Sequence, residues 1–117
     1  MQQTKKLRVL PPTLRERERY IKFQIISEEK IEYTDLEEAI WNIFLDFFGE
    51  NEVGRFNLKI VKNLWNDNSQ IGVMKCNHIS LPKVLAGLGL ISRLGDNRII
   101  FKILKISGTI KGLKINE

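Results

Sequence analysis

Cysteine and histidine each occur once in this chain of 117 residues, as Cys76 and His78. A single cysteine excludes an internal disulfide framework and fits a reducing cytoplasm. Cys-x-His alone offers too few ligands for a structural zinc site. The pair therefore reads as a buried strand cysteine followed by a loop histidine. No apolar run approaches the roughly 20 residues of a transmembrane helix. The basic N-terminus leads into Val9-Leu10-Pro11-Pro12 instead of a long apolar core, so it does not read as a secretory signal. A Gly-x-x-x-x-Gly-Lys phosphate loop is missing. His78 has no Ser or Cys partner placed to make it a catalytic base. The acidic pairs Glu28-Glu29, Glu37-Glu38 and Glu50/Glu52 fall in expected loops and helix starts, where capping and solvation account for them. The chain is expected to hold no catalytic residue, no metal and no cofactor of its own.

What is present is charge, and it is sorted. Residues 1–22 carry seven basic residues against Glu16 and Glu18, a sum of +5. Residues 98–117 carry five basic residues against Glu117, a sum of +4. The whole chain is only +5, so residues 23–97 sum to −4. Basic arms around an acidic middle suit a polyphosphate partner, because each cation placed on a phosphate releases condensed counterions. Solubility of a small domain is the competing explanation. The length allows one domain, and 43% hydrophobic residues is ordinary for a globular fold.

Residues 1–19 show no periodicity, and Pro11-Pro12 prevents a helix there. From Tyr20 to Ser27, Ile21, Phe23 and Ile25 alternate with polar residues, which predicts a half-buried strand. Thr34-Asp35-Leu36-Glu37 has the form of a capping box, and Gly49 that of a helix stop. Between them Leu36, Ile40, Ile43, Phe44 and Phe47 form one apolar face. Trp41, Leu45 and Phe48 form a second stripe, either packed in a wide core or facing a partner. Phe56–Trp65 and Gln70–Cys76 read as strands joined by the turn cluster Asn66-Asp67-Asn68-Ser69. Ser80 opens a second helix with Leu81, Val84, Leu85, Leu88 and Ile91 buried, and Gly87 and Gly89 either permit close helix–sheet approach or end the helix early. A last strand spans Arg98–Ile106, with imperfect alternation.

This order predicts an α+β fold: a ferredoxin-like or RRM-like βαββαβ sandwich, with a four-stranded antiparallel sheet and two helices on one face. Such a fold hosts RNA-recognition modules, metabolite-sensing domains and small enzymes, so it does not fix function, and a metabolite-sensing module or a protein-interaction scaffold is the alternative reading. The usual base-stacking platform of an RNA-recognition motif is missing, since Gln70–Cys76 contains no aromatic residue. RNA contact would fall to arms, loops and backbone. Gly108-Thr109-Ile110-Lys111-Gly112 places amides, a hydroxyl and an ammonium within one turn, a pattern able to hold a phosphate.

Leu10-Pro11-Pro12-Thr13-Leu14-Arg15 with Arg19-Tyr20-Ile21 resembles the opening of the archaeal ribonuclease P protein component two family. Ile106-Ser107-Gly108-Thr109-Ile110-Lys111 resembles that family's ending. Glu38-Ala39-Ile40-Trp41 and Gly72-Val73-Met74-Lys75-Cys76 are similar to segments between them, in the same order. Eukaryotic relatives are subunits of nuclear ribonuclease P and of the mitochondrial-RNA-processing ribonuclease. The resemblance implies a non-catalytic protein subunit of a tRNA-processing endoribonuclease, a ribonucleoprotein of the cytoplasm. The RNA subunit would perform the hydrolysis with its own Mg²⁺ and remove the 5′ leader of precursor tRNA. Expected partners are ribonuclease P RNA, protein component three (a TIM-barrel-like subunit) and a second copy of the chain, with precursor tRNA touched indirectly or at the edge. The implied organisation is a basic arm at 1–19, an RNA-binding domain at 20–107 and a basic tail at 108–117. Expected RNA contacts are Arg8, Thr13, Arg15, Arg17, Arg19, Ser107, Gly108, Thr109, Lys111 and Lys114. Trp41, Leu45 and Phe48 are the expected partner interface.

Overall fold

The alternation in the first strand decides the architecture. The computed structural model describes residues 17–113. Strand β1, Glu18–Ser27, buries Ile21, Phe23 and Ile25 almost completely, and their neighbours turn to the opposite face. It is followed by helix α1 (Tyr33–Phe48), helix α2 (Glu50–Phe56), strand β2 (Lys59–Ile60) and a 3₁₀ turn at Lys62–Leu64. Strand β3 (Ile71–Asn77), helix α3 (Leu81–Gly89), strands β4 (Arg93–Leu94) and β5 (Asn97–Ser107), and a second 3₁₀ turn at Lys111–Leu113 complete the described chain. The strands form one sheet in the order β2-β3-β1-β5-β4, and every pairing is antiparallel.

The α+β class holds, but the expectation of four strands and two helices is corrected, among the described residues, to five strands and three helices. The segment expected as a strand from Phe56 to Trp65 divides into the end of α2, the short β2 and a 3₁₀ turn. Phe56, Leu58 and Ile60 are buried as their alternation suggests. Phe56 is nevertheless helical, and Asn57 ends α2 in the left-handed region at φ 52. Trp65 then folds inward against Phe23 and Tyr33, with ring centroids 6.3 and 6.2 Å away. The hairpin of β4 with β5 is a further element, turning through Gly95 at φ +66.

The helix signals also resolve differently from their sequence form. Gly49 stops α1 as expected, at φ 87, with its N–H donating to the Leu45 carbonyl. The Thr34 capping box does not form, because α1 begins two residues earlier with Glu32 at the cap position. Tyr33 is buried there and its hydroxyl donates to the Ile60 carbonyl, which fixes that start. For α3, the Ser80 side chain makes no cap bond; Asn77 Oδ1 accepts from the Ser80 N–H at 2.9 Å instead.

The core lies between one sheet face and the helices. Leu36, Ile40 and Phe44 of α1 and Val84 and Leu88 of α3 meet Ile21, Phe23, Ile25, Met74 and Cys76. Gly87 lies against the Phe44 and Phe48 rings, so the close approach is helix to helix. Gln70 is buried at positive φ and acts as a polar clamp. Its amide accepts from the Ile31 N–H at 2.6 Å and donates to the Ile25 carbonyl at 2.9 Å. The irregular alternation near the end of β5 is a bulge. Lys22 pairs with Lys105 and Phe23 with Ile103, which leaves Leu104 as the extra residue.

Packing around Gly72 gives a direct check. A Cβ there would lie 2.8 Å from Trp65 Cε3 and 2.9 Å from Phe23 Cζ. Gly72→Ala should therefore destabilise the domain by about 1–3 kcal/mol, the cost of overpacking a core. Gly89→Ala, with no atom within 4 Å, should instead stabilise it by roughly 0.5–1 kcal/mol through helix propensity. Urea unfolding of both variants measures the contrast.

Candidate nucleic-acid interface

Antiparallel pairing of β1 with β5 brings the two basic segments together. Tyr20 lies opposite Ser107, so the residues just before Tyr20 meet those just after Ser107. The Arg19 guanidinium approaches Gly108 closely enough that an added Cβ would lie 3.5 Å from it. Its Nη1 also donates to the Glu18 carbonyl at 3.0 Å. Arg17 is exposed, and its carbonyl accepts from the His78 N–H at 2.8 Å. On the other side of the sheet end, Lys75 pairs with Glu18 at 3.4 Å.

The tail is a built turn. The Thr109 N–H donates to Ser107 Oγ at 3.2 Å, and the Gly112 N–H donates to Thr109 Oγ1 at 3.0 Å. Gly112 rests directly on Ser107 Oγ, with no room for a side chain. Leu113 is 1% exposed, and its carbonyl accepts from Lys22 Nζ at 3.4 Å. Leu113 and the equally buried Val73 stand apart from the main core cluster. Lys111 remains exposed on the turn. Arg17, Arg19, Ser107, Gly108, Thr109 and Lys111 thus share one end of the sheet. The amides of Thr109 and Gly112 are spent on ordering the turn. Arg8, Thr13, Arg15 and Lys114 lie outside the described residues.

The expected partner stripe is split. Trp41 and Phe48 are half-buried and pack against the core, whereas Leu45 is 39% exposed. Phe47, expected on the core face, is 60% exposed and stands edge-on to Phe48. The buried stripe runs on from Leu36, Ile40 and Phe44 to Phe48, which packs with Phe44 and Phe56, so Phe47 falls outside it. The cations of the strands were missed as well. Lys22, Lys59, Lys75, Lys102 and Lys105 each read singly as part of a solvated face, and only strand register relates them.

Cys76 is fully buried, and burial pushes its thiol up to about 11, although the Arg19 charge pulls the other way. His78 follows in a turn, with Nδ1 buried and without a hydrogen-bond partner among the described residues. Among those residues, no group of three or more His, Cys, Asp or Glu could hold a metal ion. None of their helices is long and apolar enough to cross a membrane. The Glu52 carboxylate is held below its ordinary range by its hydrogen bond to Lys83. Two clefts of about 660 Å³ lie away from the junction. One includes Ile26, Arg93, Arg98 and Ile100; the other separates α1 from the β4–β5 hairpin and includes Asp35, Glu38 and Asp96.

The fold and this junction define a small α+β protein with Arg17, Arg19 and Lys111 gathered at one sheet end, an arrangement suited to a polyanion. The chain belongs to the Rpp14/Pop5 family, whose model matches residues 19–116. It is 37% identical to ribonuclease P protein component 2 of Pyrococcus furiosus, over 92% of this chain and 88% of that protein. The protein of the same name from Methanobrevibacter smithii is 35% identical, over 91% of this chain and 92% of its own length. A chain in the cryo-EM structure of yeast ribonuclease MRP has a similar fold, with a TM-score of 0.63 and 12% identity. That match covers 81% of this chain and 76% of the yeast chain.

The thiol gives a test of this end of the sheet. At pH 8, Cys76 should react with a disulfide reagent far more slowly in the native protein than in urea. Its raised folded value gives stability that is whole below the ordinary thiol value of 9.0 and is lost as pH rises toward 11. Between pH 9 and 11 the native protein should therefore lose more stability than Cys76→Ala, measured by denaturant unfolding at each pH.

Proposed function

We infer that this chain is a protein subunit of ribonuclease P, binding and stabilising the RNA that removes the 5′ leader of precursor tRNA. Family membership over residues 19–116, with relatives named ribonuclease P protein component 2, carries this reading. The geometry supports it: among the described residues, Arg17 and Arg19 lie at the same sheet end as Lys111, where a folded RNA can meet all three. Arg17, Arg19 and Lys111 neutralise phosphates, together with Arg8, Arg15 and Lys114. Ser107, Gly108, Thr109 and Thr13 shape the contact or add hydroxyls to it. The subunit adds no catalytic group. Hydrolysis belongs to the RNA and its Mg²⁺, in the cytoplasm.

Protein partners meet the exposed side of α1. Leu45 is the member of the expected stripe that is available there, beside Phe47, while Trp41 and Phe48 support them from below. Component three, a TIM-barrel-like subunit, is the proposed occupant, with a second copy of this chain as the other protein contact. Leu45→Ala with Phe47→Ala should weaken assembly at least tenfold while leaving the melting temperature of the isolated chain nearly unchanged. The magnitude is that of exposed aromatic anchors at interfaces.

Pulldown of the tagged native protein, with sequencing of the bound RNA, tests the central reading. Ribonuclease P RNA should dominate the recovered species, and its absence would overturn the assignment. In binding to that RNA, Lys111→Ala should reduce the slope of log K against log[salt] by about one unit, and Arg17→Ala should do the same. Neither should melt the domain, since both side chains are exposed.

A further inference from the structure

The face of the sheet turned away from the helices is covered at its middle, where Val73 is buried and the tail turn bonds to Lys22, and it carries its cations in directly opposed pairs. Ile21, Phe23 and Ile25 point to the helices, so Tyr20, Lys22, Gln24 and Ile26 point away from them. Register then sets Lys59 opposite Lys75, Lys22 opposite Lys105, and Arg93 opposite Arg98. Lys102, opposite Gln24, adds a seventh cation. Glu18 is the only acidic residue in the five strands, and it pairs with Lys75. Opposed side chains of antiparallel strands sit about 5 Å apart at Cβ, where like charges destabilise a sheet. Glu18 offsets the charge of Lys75 and the Leu113 carbonyl accepts from Lys22; an external polyanion would relieve the repulsion that remains.

The bulge in β5 strengthens this reading. Without Leu104 as an extra residue, Lys105 would turn toward the helices. With it, Lys105 shares a face with Lys102 and lies against Lys22. The field from β2 to β5 crosses four strands, about 14 Å at the usual strand spacing. Its chemistry does not suit single strands, which need aromatic platforms for their bases. Tyr20 is the one aromatic residue on this face among the described strands, and its hydroxyl is directed to Glu18 at 3.4 Å. A double helix instead presents rows of phosphates and needs no stacking.

We propose that the sheet face turned away from the helices, on either side of the tail turn, docks the phosphate backbone of double-helical RNA, recognised by charge and shape and not by base identity. This rests on the ribonucleoprotein-subunit reading and adds to it a second surface, continuous with the arm–tail junction through Lys22 and the turn at Leu113.

The test uses the full chain and a variant combining Lys59→Gln, Lys102→Gln and Lys105→Gln, all exposed positions. The probes are a mixed-sequence RNA duplex of about 20 base pairs, longer than the ~16 that a double-strand reader spans, an oligouridine of equal length, and polyglutamate. The native chain should bind the duplex more tightly than the oligouridine. The variant should lower the slope of log K against log[salt] by about two to three units, and duplex affinity at least tenfold. Its melting temperature should be unchanged or higher, because two opposed like-charge pairs are gone. The corresponding triple arginine variant should retain duplex binding. Unchanged slope and affinity in the glutamine variant would overturn the proposal, as would equal affinity for oligouridine. Preference for polyglutamate would assign the face to an acidic protein. If the glutamine variant still recovers ribonuclease P RNA like the native chain, the sheet face is excluded while the subunit assignment stands.

Discussion

Strand β1 is hydrogen-bonded on both sides, and everything else in the molecule is placed by that. Its neighbours are β3 and β5, so each residue from Tyr20 to Gln24 has one partner from the middle of the chain and another from its later part. The period of two then divides labour between faces. Odd-numbered positions from Ile21 to Ile25 form the floor of the core, and even-numbered positions from Tyr20 to Ile26 face away. A one-residue slip would bury Lys22 and expose Phe23, so the apolar core holds the register that aligns the basic residues. Stability and the proposed RNA contacts thus share one determinant.

The junction at the end of the sheet follows from the same pairing. Arm and tail are far apart in sequence and need no affinity for each other, because Tyr20 and Ser107 are already opposite. The tail turn is ordered locally by two backbone donors bonding to Ser107 and Thr109 hydroxyls. Its exposed Lys111 is held by a framework whose own polar groups are already engaged. Such a site presents charge at little further ordering cost when a partner arrives.

Much of the fold was legible in the sequence because long elements repeat their signal. The alternation of Ile21, Phe23 and Ile25, the Gly49 stop, the buried stripe of α3 and the strand containing Cys76 are all present in the structure. Short elements were not legible. Helix α2 has seven residues including Gly54, and its Phe56 joins Leu58 and Ile60 in an alternation that imitates a strand. Strand β4 has two residues, too few to show a period. The β5 bulge registered only as a fault in alternation. The motif Ser107–Lys111 pointed to the sheet end as a site, but its meeting with Arg19 required the fold. The opposed lysines required more still, since a cross-strand pair such as Lys22 and Lys105 has no trace in local sequence.

The bond from Lys22 to the Leu113 carbonyl joins residues 91 positions apart. Together with the β1–β5 ladder, it means that the central strand waits for one of its two neighbours until most of the polypeptide has been made. During synthesis, β1 can find β3 but must leave its other edge open, with Ile21, Phe23 and Ile25 only partly covered. Contacts this distant in sequence slow folding, and open strand edges invite association with other chains. The nascent protein therefore has an interval of vulnerability set by topology, ending when β5 closes the sheet.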